Sequence, residues 1–265
     1  MKKLTKEQFG EWAVITGASS GIGREMAQII AQKGINTILI ARDKSALTTL
    51  SLELEKNTNV KTEVIVADLS KNEEIDKVIS QCSHLEVGLL INSAGYALSG
   101  EFTENSLTDE LDMLNVNVKA PLQLTHYFAK KMKEKKRGGI IFLSSIMALV
   151  GTSKWANYNA TKAHNLLLAE GLTRELKKDN INVLAMIVGP VKSGFQERSN
   201  SKTIFWSMSP QRVAKYGLWM LGCRSTYIPG LINKFIVLST RLNPRIINSY
   251  IFSSVLKQLI IKVGR

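Results

Sequence analysis

The fold is decided by the stretch Trp12-Ala13-Val14-Ile15-Thr16-Gly17-Ala18-Ser19-Ser20-Gly21-Ile22-Gly23. Its first five residues form an apolar run that predicts a buried strand, and the helical pattern from Gly23 to Lys33 predicts a helix directly after it. Glycines between the two permit a tight bend and a close approach of backbone to ligand. The amide groups at the start of such a helix bind a pyrophosphate, so the stretch indicates a dinucleotide site, although a glycine-rich turn can also serve structure alone.

Beyond this stretch, the chain up to about residue 190 alternates short β-branched apolar runs with longer segments of helical period. The alternation predicts repeated βα units, hence an α/β fold with a doubly wound parallel sheet of the Rossmann type. Pro121 lies inside the long amphipathic segment 107–137 and predicts a kink or break there. The expected strands are Trp12 to Thr16, Asn36 to Ile40, Lys61 to Val66, Gly88 to Asn92, Ile140 to Leu143 and Asn182 to Val188.

Composition indicates a globular protein of a reducing compartment. The 265 residues are 45% hydrophobic, enough for one sizeable core, and we expect a single domain over residues 1–265. Two cysteines cannot form a disulfide framework, and the first residues lack the apolar run of a secretory signal. Charges interrupt each apolar run before it reaches the length of a membrane span. These features predict a cytoplasmic location.

The net charge of +13 is concentrated at the C-terminal end. Residues 198–265 contain no Asp or Glu and supply eleven of these charges. They lack the interleaved aromatic platforms of a nucleic-acid module, so we expect no nucleic-acid partner. The three histidines, His84, His126 and His164, have no metal-ligand spacing, so we expect no metal site either.

The glycine spacing, Gly-x-x-x-Gly-x-Gly after Thr16, resembles that of the short-chain dehydrogenase/reductase family, and the resemblance continues through Ser193. Asp68-Leu69 resembles the family's adenine-contacting pair. Asn92-Ser93-Ala94-Gly95 is similar to its Asn-Asn-Ala-Gly signature, with Ser93 a mild departure. The resemblance implies a nicotinamide cofactor held by Gly17, Ser19, Ser20, Gly21, Ile22, Gly23, Asp68, Leu69, Asn92, Ala94 and Gly95.

The choice of nicotinamide cofactor depends on the end of the second strand, where an acidic residue would bind the ribose hydroxyl of NAD. This chain has Ala41-Arg42 there, and a guanidinium can clamp a 2′-phosphate. In the family, Ala-Arg at this point accompanies NADP, so we expect NADPH to be preferred over NADH. The alternative is a surface charge on Arg42 that is neutralised by Asp43.

Tyr158 and Lys162 stand four residues apart, which places both on one helix face, and a neighbouring ammonium favours the phenolate form of a tyrosine. Such a pair is common by chance, but Ser145 lies thirteen residues earlier, at the family's spacing, and Asn117 matches the family's helix asparagine. The resemblance implies that Ser145 and Tyr158 hold the carbonyl oxygen and that Tyr158 transfers the proton. Lys162 would hold the ribose and tune Tyr158, while Asn117 would anchor a water on the proton path.

The segment from Val188 to Ser193 resembles the family's Pro-Gly-Pro-Val-x-Thr loop, with Val188 in place of a proline and Ser193 in place of a threonine. Serine retains the hydroxyl group. The resemblance therefore implies contacts of Pro190, Val191 and Ser193 with the nicotinamide carboxamide.

The C-terminal part predicts a variable lid followed by a short helical extension. Phe195, Ile204, Phe205 and Trp206 in the expected lid favour an apolar substrate over a sugar. Segments 234–240 and 245–263 are predicted amphipathic helices, and the apolar stripe Ile247, Ile251, Val255 and Leu259 can be buried. This segment either covers the domain or a partner subunit, or contacts an anionic membrane through its basic residues.

These observations predict an NADP(H)-dependent oxidoreductase that interconverts a carbonyl and an alcohol with Tyr158 as acid/base. The substrate is expected to be an apolar ketone, aldehyde or 3-oxoacyl compound. Members of this family commonly form dimers or tetramers, so the resemblance implies a homodimer or homotetramer. The rival hypothesis is a regulatory protein that binds NADP without turnover and is tethered to a membrane by its basic tail.

Overall fold

The computed structural model describes residues 4–195, 199, 201–202 and 204–260. In this described part, seven parallel strands form one sheet in the order β3-β2-β1-β4-β5-β6-β7. Their bounds are Trp12–Thr16 (β1), Asn36–Ala41 (β2), Thr62–Val66 (β3), Val87–Asn92 (β4), Gly138–Ser145 (β5), Ile181–Val188 (β6) and Thr226–Tyr227 (β7).

One short helix precedes the first strand, and the other helices connect the strands or follow the last of them. Their bounds are Lys6–Phe9 (α1), Gly21–Ala31 (α2), Lys44–Asn57 (α3), Asn72–Gln81 (α4), Leu107–Leu114 (α5), Ala120–Lys135 (α6), Ala156–Glu175 (α7), Pro210–Met220 (α8), Leu231–Leu242 (α9) and Arg245–Leu259 (α10). A π-helical stretch, Asn115–Lys119, joins α5 to α6, and short 3-10 turns cover Ile146–Leu149 and Lys177–Asp179.

The central strands of the sheet are buried on both faces, which explains their continuous apolar runs. All five residues of β1 are buried. Because successive side chains of a strand point to opposite faces, Val14 packs into the core on one side while Ala13 and Ile15 pack into the core on the other. The doubly wound parallel sheet and the helical C-terminal part predicted from the sequence are therefore confirmed.

The six predicted strands are all present, each within two residues of its expected bounds. The break predicted at Pro121 is also present: regular helix stops at Leu114, passes through the π-helical stretch and resumes at Ala120. The predicted C-terminal helices correspond to α9 and α10, except that residues 261–263 of the second prediction lie outside the described residues.

The strand order reverses between β1 and β4, and in such sheets the crevice at the carboxyl ends of the strands is where ligands bind. Over the described residues, none of the helices is both long enough and apolar enough to cross a membrane.

Candidate active site

A cavity of about 770 Å³ opens at the carboxyl ends of the strands. Sequence-predicted residues from distant segments meet in its wall, namely Gly17, Ser19, Ser20, Gly21, Ile22, Arg42, Asp68, Leu69, Ala94, Gly95, Ser145, Tyr158, Lys162, Pro190, Val191 and Ser193. Three further predicted residues, Gly23, Asn92 and Asn117, lie outside this wall and hold the elements around it.

The glycine turn after β1 fits a dinucleotide because its backbone packs too closely for side chains. Gly17 has a φ of +67°, and a Cβ there would lie 2.9 Å from the backbone of Ala94, on the loop after β4. The turn thereby leaves space over the first residues of α2, where backbone amides and the helix dipole favour a phosphate. Gly17, Ser19, Ser20, Gly21 and Ile22 would hold the pyrophosphate of a nicotinamide cofactor.

Gly23 serves the packing of α2 instead of lining the cavity. A Cβ on Gly23 would lie 2.4 Å from the carbonyl oxygen of Gly17, a distance that a real Cβ does not adopt. The helix can therefore approach the turn only because this residue has no side chain. Gly23 is therefore a spacer between turn and helix, and its contact with a cofactor stays a prediction.

Arg42 lies at the end of β2, in the cavity wall and exposed to solvent. Asp43 does not neutralise it: the Asp43 carboxylate caps α3 by accepting a hydrogen bond from the amide of Ala46 at 3.0 Å. None of the ion pairs among the described residues joins Asp43 to Arg42. The guanidinium therefore remains available to a ligand in the cavity.

Thr16 joins the ends of two central strands, although its sequence motif gives no sign of this role. Its hydroxyl donates to the carbonyl of Ile91 at 3.3 Å and accepts from the amides of Ser93 and Ala94, each at 3.1 Å. The loop after β4 is fixed in this way against the glycine turn. Asn92, just before that loop, is buried and donates to Thr125 on α6 at 3.1 Å, so it anchors the strand end and does not reach the cavity.

Ser145 and Tyr158 both line the wall of the cavity, where the Ser145 hydroxyl is close enough to Tyr158 to act on its pKa. Ser145 is the last residue of β5, where its hydroxyl also accepts from the amide of Met147 at 3.2 Å. Tyr158 is buried near the start of α7. Burial raises the pKa of Tyr158 above its ordinary value, and the neighbouring Ser145 hydroxyl offsets this only in part.

Lys162 lies one turn after Tyr158 on α7. Its ammonium donates to the carbonyl of Leu143 at 3.0 Å and lies 5.8 Å from the centre of the Tyr158 ring. Burial lowers the pKa of Lys162 to about 8. Desolvation of the phenol is the largest cause of the pKa shift of Tyr158, and the expectation that the ammonium favours a tyrosine phenolate stays a prediction.

Asn117 lies outside the cavity wall and holds neighbouring elements of the site together. It is fully buried in the π-helical stretch, where its side chain accepts from the amide of Tyr96 at 3.1 Å and donates to the carbonyl of Tyr96 at 2.9 Å. It also donates to Thr161 on α7 at 3.1 Å. Asn117 thereby connects the loop after β4 to the helix that carries Tyr158.

The backbone carbonyl of Asn117 is released from the helix by Pro121. A proline has no N–H for the carbonyl four residues earlier, and its ring would clash with that carbonyl. The freed carbonyl accepts instead from Asn165 on α7 at 2.8 Å. Asn165 was missed in the sequence, because only the packing of α7 against the π-helical stretch brings the two residues together.

The part of the cavity beyond Tyr158 is apolar and aromatic. The ring of Trp155 lies 5.2 Å from that of Tyr158, and the ring of Phe195 lies 5.8 Å from it. Trp155 is held by a hydrogen bond from its indole nitrogen to Ser99 at 2.6 Å. The remaining wall here is formed mainly by apolar residues of the predicted lid and of the last two helices, Ile204, Trp206, Ile236, Ile251, Phe252, Val255, Leu256 and Leu259.

Two sequence expectations about this region need correction. Phe205 of the predicted lid is 90% exposed and does not line the cavity. The stripe on α10 is not buried, because Ile247, Ile251 and Val255 are each about half exposed. The buried side of α10 is marked by Asn248 and Leu256.

Within the described residues, no group of three or more His, Cys, Asp or Glu could hold a metal ion.

Comparison with known proteins gives the fold and site a family context. Residues 11–204 match the family described as "short chain dehydrogenase". A curated relative, the 7beta-hydroxysteroid dehydrogenase of Clostridium sardiniense, is 27% identical over 232 residues, covering 86% of this chain and 89% of that protein. The very-long-chain 3-oxoacyl-CoA reductase of Laccaria bicolor is 29% identical over 255 residues, covering 83% of this chain and 75% of that protein.

A solved structure supports the same context. The short-chain dehydrogenase from Sphingobium yanoikuyae, in complex with NADPH, superposes with a TM-score of 0.80 at 26% sequence identity. The match covers 96% of this chain and 98% of that chain.

Proposed function

This chain belongs to the short chain dehydrogenase family and is thus an oxidoreductase of CH–OH groups, and we propose that it interconverts a carbonyl and an alcohol with NADP(H) and with Tyr158 as acid/base. One observation carries the proposal. The glycine turn, Ser145, Tyr158 and Lys162 come from separate segments of the sequence and converge on one cavity.

Ser145 and Tyr158 would position the substrate. Both side chains line the same cavity, so a carbonyl oxygen placed between their hydroxyl groups would accept a hydrogen bond from each. Because burial raises its pKa, Tyr158 is protonated at neutral pH and is suited to donate its proton to the alkoxide that develops during reduction. The bound nicotinamide would supply the hydride.

Lys162 and Asn117 would play different parts in this site. Lys162 lies in the cavity wall with a lowered pKa, where it would bind the ribose hydroxyls and favour the tyrosinate after proton transfer. Asn117 does not line the cavity, so we propose a positioning role for it through the loop at Tyr96 and through Thr161. If the backbone carbonyl of Asn117 also anchored a water, its oxygen would accept hydrogen bonds from both that water and the Asn165 side chain.

The preference for NADPH rests on Arg42. Its guanidinium lies in the cavity wall at the end of β2, where a 2′-phosphate would meet a positive charge. The similarity to a short-chain dehydrogenase in complex with NADPH supports the same cofactor. Asp68, Leu69, Ala94 and Gly95 would hold the adenosine half and the neighbouring phosphates, and Pro190, Val191 and Ser193 the nicotinamide end.

The proposed substrate is an apolar ketone, aldehyde or 3-oxoacyl compound. Trp155 and Phe195 place aromatic rings beside Tyr158, and apolar side chains of the last two helices complete the wall. Such a surface favours an apolar body over a hydroxyl-rich sugar, whose polar groups would be left without partners. The names of the two curated relatives, a hydroxysteroid dehydrogenase and a very-long-chain 3-oxoacyl-CoA reductase, agree with this substrate class.

The proposal includes a cytoplasmic homodimer or homotetramer. Leu107, Leu111 and Leu114 on α5 and Leu122 on α6 are exposed apolar side chains at helical spacing, which is the surface a partner subunit would cover. The low cysteine content agrees with a reducing compartment.

The experiment that tests the function is calorimetric titration of the protein with NADPH and NADH, followed by absorbance-monitored oxidation of the preferred cofactor against steroid ketones, long-chain aldehydes and 3-oxoacyl thioesters. We expect tight NADPH binding and turnover of at least one compound. Tyr158→Phe should reduce kcat by a factor of about 100 or more while it leaves NADPH affinity unchanged, because only the transferred proton is lost.

Retained turnover in Tyr158→Phe would overturn the proposed acid/base. Tight NADPH binding without turnover of any compound in the panel would favour the rival hypothesis of a binding protein. Tighter binding of NADH would contradict the role given to Arg42.

A further inference from the structure

The side of α9 that faces solvent is its most apolar side. Leu231, Phe235, Leu238 and Leu242 follow one another at intervals of four, three and four residues, which places them on one face of the helix. Each of these side chains, which we call the α9 stripe, is between 51% and 75% exposed. The opposite side, marked by Val237, is buried against the domain. An ordinary surface helix has the reverse arrangement, so the α9 stripe indicates a missing partner.

The opening of the cavity lies beside further exposed apolar residues. Ile251 and Val255 on α10 line the cavity and are 51% and 44% exposed, so they lie at its opening. Phe205 is 90% exposed next to Trp206, which also lines the cavity. On α9, the cavity-lining residue Ile236 directly follows a member of the α9 stripe, about a quarter of a turn away. The apolar surface therefore borders the cavity opening.

Three cations that form no ion pair among the described residues accompany this surface. Lys234 and Arg241 lie on α9 at one flank of the α9 stripe, and Arg245 begins α10. The sequence has no acidic residue from position 198 onward. None of the ion pairs in the described residues includes these three cations. Long basic side chains beside an apolar stripe can reach lipid headgroups while the stripe enters the acyl region.

A second copy of this chain suits the surface less well. A two-fold interface places the same patch against itself, so it would bring the cations of both copies together without acidic partners from these helices. An anionic bilayer supplies the opposite charge together with an apolar phase below it.

We propose that α9, α10 and the side chain of Phe205 form a docking surface for an anionic phospholipid bilayer. The docked cavity opens toward the membrane, from which an apolar substrate enters. Lipid binding requires neither cofactor nor turnover, so this inference and the proposed function can fail independently.

The test is flotation of the full chain with vesicles of phosphatidylcholine alone or of phosphatidylcholine mixed with phosphatidylglycerol. We expect binding to the mixed vesicles at low salt, weaker binding at high salt because headgroup attraction is screened, and little binding to phosphatidylcholine alone. Leu238→Ser with Arg241→Glu should reduce the affinity for mixed vesicles about tenfold or more, since it removes one apolar contact and reverses one charge.

The matched control is Leu52→Ser with Lys56→Glu on α3, which also removes one exposed leucine and reverses one exposed cation. It should leave vesicle binding within about twofold, since α3 lies outside the docking surface. Thermal unfolding measured by circular dichroism for both double variants verifies that each is folded.

Three outcomes would overturn the proposal. The first is no binding of the unaltered chain to the mixed vesicles at low salt. The second is an equal loss of vesicle affinity in the α3 control, which would show that the loss depends on net charge and not on the docking surface. The third is a change of oligomeric state in the α9 variant, measured by analytical ultracentrifugation, with vesicle binding unchanged, which would assign the surface to a second copy of the chain.

Discussion

Arg42 is the residue on which the proposed cofactor preference depends. Arg42→Gln removes the positive charge at the end of β2 while it keeps a polar side chain of moderate length. We expect the affinity for NADPH to fall about tenfold to a hundredfold, the range for loss of hydrogen bonds to a charged group, while the affinity for NADH changes little. Calorimetric titration of both cofactors measures the difference.

Lys44→Gln is the control for Arg42→Gln. Lys44 stands two residues later, at the start of α3, and does not belong to the cavity wall. Lys44→Gln should therefore leave the affinities for NADPH and for NADH unchanged. An equal loss for NADPH and NADH in Arg42→Gln would mean that the guanidinium does not distinguish the 2′ position.

Among single residues, the sequence could identify those that form contiguous motifs. Ser145, Tyr158 and Lys162 were recognisable by spacing, and the structure brings them to one cavity. Thr16 and Asn165 could not be found in this way, because their partners lie 75 and 48 positions away in the chain. Their hydrogen bonds exist only once strands and helices have packed together.

At the scale of elements, the contact between the glycine turn and α2 yields a prediction. Gly23→Ala would place a Cβ 2.4 Å from the carbonyl oxygen of Gly17, so the helix must move away from the turn. We expect stability to fall by about 1–3 kcal/mol, as in other overpacked sites. NADPH affinity should fall with it, because the amides at the start of α2 are displaced. Thermal unfolding and calorimetric titration measure the two effects.

Gly171→Ala on α7 provides the comparison for Gly23→Ala. Both residues are helical glycines, but a Cβ on Gly171 would meet nothing within 4 Å. Alanine is the better helix former by about 0.5–1 kcal/mol, so this variant should be slightly more stable and bind NADPH unchanged. A loss of affinity in Gly171→Ala as large as that in Gly23→Ala would contradict the steric explanation.

The long helical segment shows what the sequence could predict about elements and what it could not. Pro121 predicts a break, since it lacks an N–H and clashes with the preceding turn. The form of the break is a π-helical stretch with Asn117 at its centre. It depends on the loop at Tyr96, whose carbonyl accepts a hydrogen bond from the Asn117 side chain, and on α7, where Asn165 donates to the Asn117 backbone carbonyl. These long-range partners leave no local signal in the sequence.

At the scale of the whole molecule, the sheet was predictable because each central strand is buried on both faces and therefore has a continuous apolar run. The C-terminal helices were not predictable to the same extent. Periodicity indicated an apolar stripe on α10 but gave no means to tell a buried stripe from one at the cavity opening. The α9 stripe was missed because the helix is apolar on its buried side as well.

Stability of the whole molecule should depend on pH through Lys162. Burial lowers its pKa from 10.5 to about 8 in the folded chain, so between these values the unfolded chain binds more protons than the folded chain. The free energy of unfolding therefore rises with pH across this window, and the contribution is lost as pH falls toward 8. The shift corresponds to about 3 kcal/mol. Tyr158 acts oppositely, but only above its ordinary pKa of 10, because burial raises its pKa.

Denaturant unfolding of the unaltered chain and of Lys162→Met, measured from pH 8 to pH 10.5, isolates this contribution. Tyr158 is present in both proteins, so the difference between their free energies of unfolding reports mainly on the lysine. We expect that difference to change in favour of the unaltered chain by about 3 kcal/mol as pH rises. Lys215→Met, which removes a lysine exposed on α8, controls for the loss of one positive charge. A difference between the unaltered chain and Lys162→Met that stays constant across the window would mean that Lys162 keeps its ordinary pKa, and that the site does not hold a desolvated ammonium beside Tyr158.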